Sequence, residues 1–402
     1  MPATGTPAVQ APAARRKLRF GMVGGGPGSF IGAVHRRAAE FDGLAELVAG
    51  AFSSDPERSR AQGGAYHLDP GRVYASYEAM AEQEAALPEG ERIDFVSIVA
   101  PNHVHYAAAR AFVERGFDVV CDKPMTTTLA DAEALCRLVR ERGVVFALTH
   151  NYAGYPMVKQ ARALVQGGRL GTVRKVVAEY PQGWLATLVE ATGQKQAVWR
   201  TDPAQAGAGG IGDIGSHAEH LARYVTGLEM ESLLADVTIF VPGRQLEDDA
   251  NLLVRYRGGA RGILYCSQIS VGEENGLRLR VYGTEAGLEW RQEDPGVLYF
   301  RPADGPEQVL RRGNAYLGPE ARHATRLPAG HPEAFHEAFA NVYANAMRTM
   351  LARRAGAEPD PLDLDFATAE DGARGVHFIQ TALESGRQGG AWVDATYAPP
   401  GA

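Results

Sequence analysis

Short apolar runs alternate with helical segments across residues 18–149, and this alternation constrains the fold more than any other feature of the chain. The runs that we interpret as strands are 18–23, 47–52, 93–100, 117–121 and 144–149. Strands that are separated by helices form parallel sheets with helices on both faces. The sequence therefore predicts a doubly wound parallel α/β domain over residues 17–150.

A glycine-rich loop follows the first strand. Residues 24–32 read Gly-Gly-Gly-Pro-Gly-Ser-Phe-Ile-Gly, and a helix is predicted over 33–41. Strand, glycine loop and helix in this order favour a dinucleotide site of the Rossmann type, because N–H groups at the helix start face a pyrophosphate. Gly24 and Gly26 fit the first two positions of that fingerprint, while Gly32 comes later than its third position. A plain strand–helix turn is the alternative interpretation.

The end of the second strand bears on the choice between NAD and NADP. An NAD enzyme usually carries an acid here for the ribose hydroxyls, and this chain has Ser53. Asp55 is better explained as a helix N-cap before Pro56. Ser53 can hydrogen-bond a 2′-phosphate and Arg58 can pair with it, which favours NADP slightly over NAD. An exposed Arg on an ordinary helix is the alternative.

The pattern of the chain changes after residue 151. Several later runs alternate polar with apolar residues, as strands of a half-exposed antiparallel sheet do, and residues 332–354 and 367–385 are predicted to be closing helices. We therefore expect a second, α+β domain over 151–402, built on a large and mainly antiparallel open sheet. Its expected roles are substrate binding and oligomerisation.

The stretch Gly209–His220 concentrates glycine, one acid and two histidines. Asp213 and His217 are four residues apart and share a face if a helix begins here. An Asp beside a His orients the imidazole and tunes it for proton transfer near neutral pH. A helix start with a capping Asp and surface histidines is the alternative. A metal site with His220 is disfavoured, and no metal is predicted, because no Cys or second His cluster matches it.

Composition excludes several classes of function. The formal net charge of −7 argues against nucleic acid or an anionic membrane as the main partner. Three cysteines make no disulfide framework and fit a reducing compartment. Residues 1–16 make a poor signal peptide and are expected to be a disordered tail, and no apolar run is long enough to span a bilayer. A cytoplasmic enzyme is therefore expected.

Several short motifs resemble those of the Gfo/Idh/MocA oxidoreductases, the family of glucose–fructose oxidoreductase and inositol dehydrogenase. The motifs are Gly-Met-Val-Gly-Gly-Gly (21–26), Ala-Pro-Asn-His-Val-His (100–105), Asp-Lys-Pro (122–124), Asn-Tyr (151–152) and Gly-Asp-Ile-Gly-Ser-His (212–217). Asp122 departs from the usual Glu of the third motif. The segment 180–184 with Trp199 and Arg200 looks like the sugar-oxidising branch that includes levoglucosan dehydrogenase.

The resemblance implies a role for each matching residue. Lys123 would donate to the reacting substrate oxygen, His217 would take the hydroxyl proton, and Asp213 would orient His217 or a substrate hydroxyl. A cis Lys123–Pro124 bond is typical of the family. Which of Lys123 and His217 is the base stays open. His220 stands where many relatives carry a substrate-binding Asp, and a position on the helix surface is its alternative.

Strand ends and resemblance together define the candidate sites. The candidate cofactor-binding residues are Gly24, Gly26, Gly28, Ser29, Phe30, Ile31, Ser53, Ser54, Arg58, Ala100, Pro101, Asn102, His105, Asp122, Lys123 and Asn151. The candidate substrate-binding residues are Lys123, Tyr152, Trp199, Arg200, Asp213, His217 and His220.

The resemblance implies an NAD(P)-dependent dehydrogenase that oxidises a secondary hydroxyl of a sugar, inositol or sugar derivative. An NAD-dependent glycosidase of the same superfamily is the first alternative, in which the hydride leaves and returns, so that no net redox change appears. A non-catalytic cofactor-binding regulator is the second, and it is disfavoured because Lys123 and His217 are both present. A homodimer or homotetramer through the open sheet is also expected, since an exposed sheet face needs covering.

Overall fold

Five parallel strands in the order β2-β1-β3-β4-β5 form the first sheet of the computed structural model, which describes residues 16–399. The elements of this region are β1 (Leu18–Gly24), α1 (Phe30–Glu40), β2 (Ala45–Ala51), α2 (Pro56–Ala65), α3 (Tyr77–Ala86), β3 (Phe95–Val99), α4 (Asn102–Val113), β4 (Asp118–Cys121), α5 (Leu129–Arg142) and β5 (Phe146–Leu148). Every residue of the central strand β3 is buried, because helices cover both faces of the sheet. The predicted doubly wound parallel sheet is confirmed.

A nine-stranded sheet forms the second region, in the order β13-β12-β11-β10-β6-β9-β8-β7-β14. Its elements are α6 (Pro156–Gln166), β6 (Val173–Pro181), α7 (Lys195–Arg200), α8 (Pro203–Ala206), α9 (Ser216–Thr226), β7 (Met230–Thr238), β8 (Asp249–Tyr256), β9 (Arg261–Ser267), β10 (Arg278–Gly283), β11 (Ala286–Arg291), β12 (Val297–Pro302), β13 (Gln308–Arg311), α10 (Pro319–His323), α11 (Phe335–Arg354), α12 (Ala369–Arg387) and β14 (Val393–Asp394). Only β6 and β9 pair in parallel among these strands, so the mainly antiparallel prediction is confirmed.

The two closing helices pack against the first sheet, although they follow the second in sequence. Phe339, Tyr343 and Met347 of α11 share a core with Phe20 and Met22 of β1. On the other face, Ala373 and Val376 of α12 join the core that holds the α4 and α5 side chains. The boundary expected at residue 151 therefore separates the two sheets in sequence, while the C-terminal helices help to bury both faces of the first.

The expected tail, residues 1–16, lies outside the described residues except for Arg16, whose guanidinium pairs with Asp94 at 2.6 Å. Within residues 16–399, no helix combines the length and the apolar character that crossing a membrane requires.

Candidate active site between the two sheets

The glycine loop approaches other backbone segments too closely for side chains. Gly24 has φ +85°, and a Cβ there would lie 2.6 Å from the carbonyl oxygen of Val99. A Cβ on Gly26 would lie 2.6 Å from the carbonyl oxygen of Phe52. Ser29 caps α1, since its Oγ accepts the Gly32 N–H at 3.1 Å. The loop therefore leaves bare backbone and a helix N-terminus at the ends of β1 and β2, which fits a pyrophosphate.

Gly32 explains why the glycine spacing looked irregular. It lies inside α1, and a Cβ there would be only 2.4 Å from the Cα of Gly25. The residue thus performs the task of a third fingerprint glycine, which is close packing of the helix against the preceding turn. The longer loop has moved that position along the chain.

A cavity of about 650 Å³ opens at the carboxyl ends of the first sheet. Most of the predicted cofactor residues line it: Gly24, Gly26, Ser29, Ile31, Ser53, Ser54, Arg58, Ala100, Pro101, Asn102, Asp122 and Lys123. Gly28 and His105 are not among its lining residues, and Phe30 and Asn151 line the adjoining cavity instead. His105 is buried, with its ring nitrogens 2.8 Å from the carbonyl oxygens of Ala100 and Pro124. It ties two strand-end loops together and does not reach the cavity.

Residues of the second region close the other side of this cavity, and none of them is among the predicted cofactor-binding residues. Lys195 begins α7 and donates its Nζ hydrogen to the carbonyl oxygen of Pro27 in the glycine loop, at 3.2 Å. Partial burial and the nearby Arg58 lower the pKa of Lys195. Two cations therefore face each other next to Ser53.

Lys123 and Asp213 meet where the first cavity adjoins a second cavity of about 760 Å³. Lys123 Nζ lies 3.1 Å from Asp213 Oδ1 and also donates to the main-chain oxygen of Asp213. Gln268 Nε2 donates to Asp213 Oδ2 at 2.9 Å, and Arg200 Nε lies 3.4 Å from the same oxygen. Burial alone would raise the pKa of Asp213, but Lys123 and Arg200 outweigh it and hold the pKa below its ordinary value.

His217 lines the second cavity and is only 8% exposed. Its ring lies edge-on to Tyr152, with ring centres 4.8 Å apart, and its buried Nδ1 has no hydrogen-bond partner among the described residues. Burial, with Lys123 and His150 nearby, holds the pKa of His217 well below its usual value, so the imidazole is neutral at neutral pH. Within residues 16–399, no hydrogen bond joins its side chain to that of Asp213, which contacts Lys123, Arg200 and Gln268 instead.

The second cavity collects part of the predicted substrate set. Lys123, Tyr152, Arg200, Asp213 and His217 line it, and Trp199 lines the cofactor-side cavity. Polar residues that the substrate prediction did not include also line it, among them Glu274, Asn275 and His336. Glu274 and Asn275 lie between β9 and β10, His336 lies at the start of α11, and none of the three belongs to a local motif that identifies it.

His220 is not brought to the second cavity. Its ring stacks on His150 with ring centres 3.9 Å apart, and His150 in turn lies edge-on to His217. His220 faces a separate cavity of about 540 Å³ on the far side. His220 therefore lies outside the lining of the second cavity, and His150 packs between its ring and that of His217.

The backbone around Asp213 is irregular. Residues Ile211–Gly215 form a π-helical turn that leads directly into α9, and such turns are frequent at functional sites. The Lys123–Pro124 peptide bond is cis, as the resemblance implied. No group of three or more His, Cys, Asp or Glu side chains within residues 16–399 is arranged to hold a metal ion.

Comparison with protein families matches both regions of the chain. Residues 18–150 match the oxidoreductase family with an NAD-binding Rossmann fold, and residues 158–289 match the GFO/IDH/MocA C-terminal domain. The chain is 34% identical to the uncharacterized oxidoreductase YfiI of Bacillus subtilis (strain 168), over 94% of this chain and 97% of that protein.

Solved structures agree with this match. A crystal structure of an oxidoreductase from Sinorhizobium meliloti is 47% identical with a TM-score of 0.86, covering 94% of this chain and 100% of its own. An inositol dehydrogenase homolog from Azotobacter vinelandii, complexed with NAD+, is 39% identical with a TM-score of 0.88, covering 94% and 97%. An inositol dehydrogenase homolog from the same organism, complexed with NADH and myo-inositol, is 37% identical with a TM-score of 0.85, covering 94% of this chain and 98% of its own.

Levoglucosan dehydrogenase, complexed with NADH and levoglucosan, is only 22% identical, with a TM-score of 0.79, covering 94% of this chain and 99% of its own. At that identity the likeness shows a shared fold alone. The expected placement near the levoglucosan dehydrogenase branch is therefore not supported, and the inositol dehydrogenase homolog is the more similar protein.

Proposed function

This chain belongs to the Gfo/Idh/MocA family of NAD(P)-binding oxidoreductases, and we propose that it oxidises a secondary hydroxyl of a sugar, an inositol or a related polyol. The observation that carries the proposal is the meeting of Lys123, Asp213 and His217. Lys123 comes from the first sheet, and Asp213 and His217 come from the stretch that packs on the second. The three side chains converge where a cofactor-sized cavity joins a polar cavity.

The residues present fit a dinucleotide. The bare backbone of Gly24 and Gly26 and the N-terminus of α1 suit a pyrophosphate, and Asp122 and Lys123 line the cavity at its inner end. When bound, the nicotinamide of NAD(P) would accept a hydride from a substrate carbon. The protein then has only to orient the substrate, stabilise charge on its oxygen and remove one proton.

Each of these tasks has a candidate residue. Lys123 provides a positive charge for the oxygen that loses its proton, and Asp213 holds that amine in place through two contacts. The neutral imidazole of His217 is in the form that can accept a proton. Lys123 is the alternative base, with His217 then binding the substrate.

A polyol suits the lining of the second cavity. Tyr152 and Tyr180 share a hydrogen bond there, and Asn275 accepts from Tyr180 at 2.6 Å and from Gln182 at 2.9 Å. Such a set of hydroxyls and amides matches several adjacent substrate hydroxyls, each of which can donate and accept. Myo-inositol, which the homolog from A. vinelandii binds, is a suitable first substrate to test.

For the cofactor we propose a preference for NADP over NAD. Ser53 stands at the end of β2, and Arg58 and Lys195 flank it without a carboxylate partner among the described ion pairs. A 2′-phosphate would compensate both charges. The A. vinelandii homolog was crystallised with NAD+ and NADH, so titration of the two cofactors is decisive. Tighter binding of NAD than of NADP would contradict the preference.

The proposed activity is tested with a panel of inositols and sugars, following reduced-cofactor absorbance with NAD and with NADP. Lys123→Met and His217→Asn are each expected to lower kcat by a factor on the order of 100 or more, because they remove a charge and a proton acceptor. Lys17→Met, at an exposed position away from both cavities, is the matched control. Of Lys123 and His217, the residue whose substitution lowers kcat more at every pH is the better candidate for the general base.

Two outcomes would overturn the proposal. If no compound of the panel leads to reduced cofactor, although the protein binds the cofactor, the dehydrogenase proposal is contradicted. Release of an aglycone from a glycoside with only catalytic cofactor, and no net reduction, would indicate the glycosidase alternative instead.

We also propose that copies of the chain associate through the outer face of the nine-stranded sheet. An apolar stripe crosses four neighbouring strands there, where Leu234 pairs with Leu253, Leu253 with Ile263, and Ile263 with Val177. Leu253 is 45% and Ile263 37% exposed.

A further inference from the structure

Glu247, at the end of the loop between β7 and β8, lies directly beneath the stretch that carries Asp213. Its side chain is 5% exposed, and its Oε1 accepts the N–H groups of Gly209 at 2.8 Å and Ile211 at 3.2 Å. The Gly210 N–H donates to the main-chain oxygen of Glu247 at 2.8 Å. A single residue thus accepts three consecutive N–H groups at the entry to the π-helical turn.

The contact between these two segments is backbone to backbone. A Cβ on Gly209 would lie 2.0 Å from the carbonyl oxygen of Glu247, so only glycine allows this approach. The Asp213 N–H in turn donates to the carbonyl oxygen of Gly209 at 2.9 Å. The position of Asp213 therefore depends, through Gly209, on where Glu247 lies.

Gln268 holds Asp213 through the Asp213 carboxylate. It follows β9, is 3% exposed, and donates from Nε2 to Asp213 Oδ2 at 2.9 Å. Its own N–H donates to the carbonyl oxygen of Asp248 at 2.8 Å. Glu247, just before β8, and Gln268, just after β9, therefore lie at the same end of two paired strands. With Gln268 on Oδ2, the other oxygen of Asp213 is left for Lys123.

We propose that Glu247 and Gln268 are positioning residues for Asp213, Glu247 through the backbone and Gln268 through the carboxylate. The inference rests on the proposed dehydrogenase function. N–H groups at a helix start need acceptors, and Oε1 of Glu247 supplies one for two of them. A reacting group that moves by about 1 Å can lose activity on the order of 100-fold, so the support is expected to act on kcat.

The first test compares two substitutions at one site. Glu247→Gln keeps an oxygen at Oε1, whereas Glu247→Leu removes it at similar size. We expect the Leu variant to lose at least tenfold in kcat with little change in the cofactor KM, and the Gln variant to retain most of kcat. Asp69→Leu is the control, because it also removes a carboxylate that accepts a backbone N–H, that of Gly71 at 2.8 Å, in an exposed turn away from both cavities.

A readout without turnover separates this inference from the proposed function. Hydrogen exchange measured by mass spectrometry should speed up at residues 209–213 in Glu247→Leu, and stay near that of the unmodified protein in Glu247→Gln. This holds even if no polyol is oxidised. Unchanged exchange and unchanged kcat in Glu247→Leu would overturn the role of Glu247, and so would equal losses in both variants.

Gln268 gives a second route if Glu247→Leu does not fold. Gln268→Leu leaves Asp213 Oδ2 without this donor, and Gln268→Glu places a like charge beside it. Both variants are expected to lower kcat, and Gln268→Glu more than Gln268→Leu. Cofactor affinity, measured by fluorescence titration, is expected to stay within about twofold of that of the unmodified protein. Full kcat in both variants would overturn the role of Gln268.

Discussion

Burial raises the pKa of Glu247 to about 7, and the neighbouring Asp248 acts in the same direction. The pKa of a free Glu is about 4.5, so the folded protein binds this proton more tightly than the unfolded chain. The resulting stabilisation is fully present below about pH 4.5 and is lost as the pH rises through about 7. Above that pH the buried carboxylate is charged, with its two backbone donors as partial compensation.

Glu247→Gln should remove this pH dependence. Relative to the variant, the unmodified protein is expected to lose up to about 3 kcal/mol of unfolding free energy between pH 5 and pH 8. Urea denaturation at several pH values measures the difference, and Glu57→Gln on the exposed start of α2 is the matched control. The expectation is contradicted if the unfolding free energies of Glu247→Gln and of the unmodified protein change with pH in parallel.

Single residues differed in how well sequence identified them. Lys123, Asp213 and His217 lie in short motifs that carry their chemistry locally, and the structure brings all three together. Glu247 and Gln268 carry no such signal, because their partners are set by strand pairing far along the chain. His220 was expected to contact substrate, and the spacing along its helix could not show that His150 would separate it from the cavity.

At the scale of elements, α1 and its preceding loop form one unit. Gly32→Ala puts a Cβ 2.4 Å from the Cα of Gly25, so the loop must move away from the helix. We expect cofactor affinity to fall at least tenfold, because the same loop has to contact the pyrophosphate. Isothermal titration with NAD and NADP measures it.

Gly375→Ala in α12 is a matched control for this substitution. A Cβ there meets no heavy atom within 4 Å, so Ala should leave cofactor affinity unchanged and stabilise the helix by up to about 1 kcal/mol. Equal cofactor affinity in the Gly32 and Gly375 variants would show that the close contact does not shape the loop.

The segment 183–208, which carries α7 and α8, bridges the two sheets over the cofactor cavity. Lys195 donates to Pro27, Asn102 donates to the carbonyl oxygen of Ala206 at 2.9 Å, and Arg200 pairs with Asp213. A bound cofactor would add contacts to this segment and suppress its local opening. Trypsin cleavage after Lys195 and Arg200 should therefore slow several-fold when NAD(P)H is added.

Cleavage at Arg257, in the exposed turn after β8, gives the internal control because it lies away from both cavities. Equal slowing at Arg257 would indicate general stabilisation of the fold. Unchanged cleavage at Lys195 would show that the segment does not respond to cofactor.

The sequence predicted the type of each element better than it predicted which other elements it pairs or packs with. The alternation of apolar runs and helices predicted the first sheet, and the period-two pattern of later runs predicted the second. Beyond Arg291, β12 and β13 continue the sheet. Strand β13 reads Gln-Val-Leu-Arg and lies exposed at the edge, so it lacks the alternating burial that reveals a strand.

At the scale of the whole molecule, the C-terminal helices were predicted as elements, but not their partners. An amphipathic pattern shows that one face of a helix is buried, without showing against what. Tyr343 of α11 contacts Ser97 of β3 at 2.6 Å and His35 of α1 at 2.8 Å, so the end of the chain completes the cofactor domain. Truncation before α11 is therefore expected to unfold the first sheet as well.

In the part of the chain that the structure describes, the outer face of the nine-stranded sheet is not covered by helices of the same chain. Leu234, Leu253, Ile263 and Val177 form a continuous apolar stripe across β7, β8, β9 and β6, and the next strand, β10, places Arg280 beside Val177. A contiguous apolar patch with a polar rim is typical of an interface between protein chains. A twofold arrangement would bring the stripe of one copy against that of another.

Charge on this stripe should therefore separate the copies and leave the site intact. We expect light scattering after gel filtration to show a dimer or tetramer for the unmodified protein and a monomer for Leu253→Glu/Ile263→Glu, since paired carboxylates would face each other across the interface. Arg387→Glu, on the exposed end of α12, is the control. Cofactor affinity should stay unchanged in the double variant, because neither residue lines the cofactor cavity. A monomeric unmodified protein would show that the stripe is not an interface between copies. An oligomer that persists in the double variant would show that the copies associate through another surface.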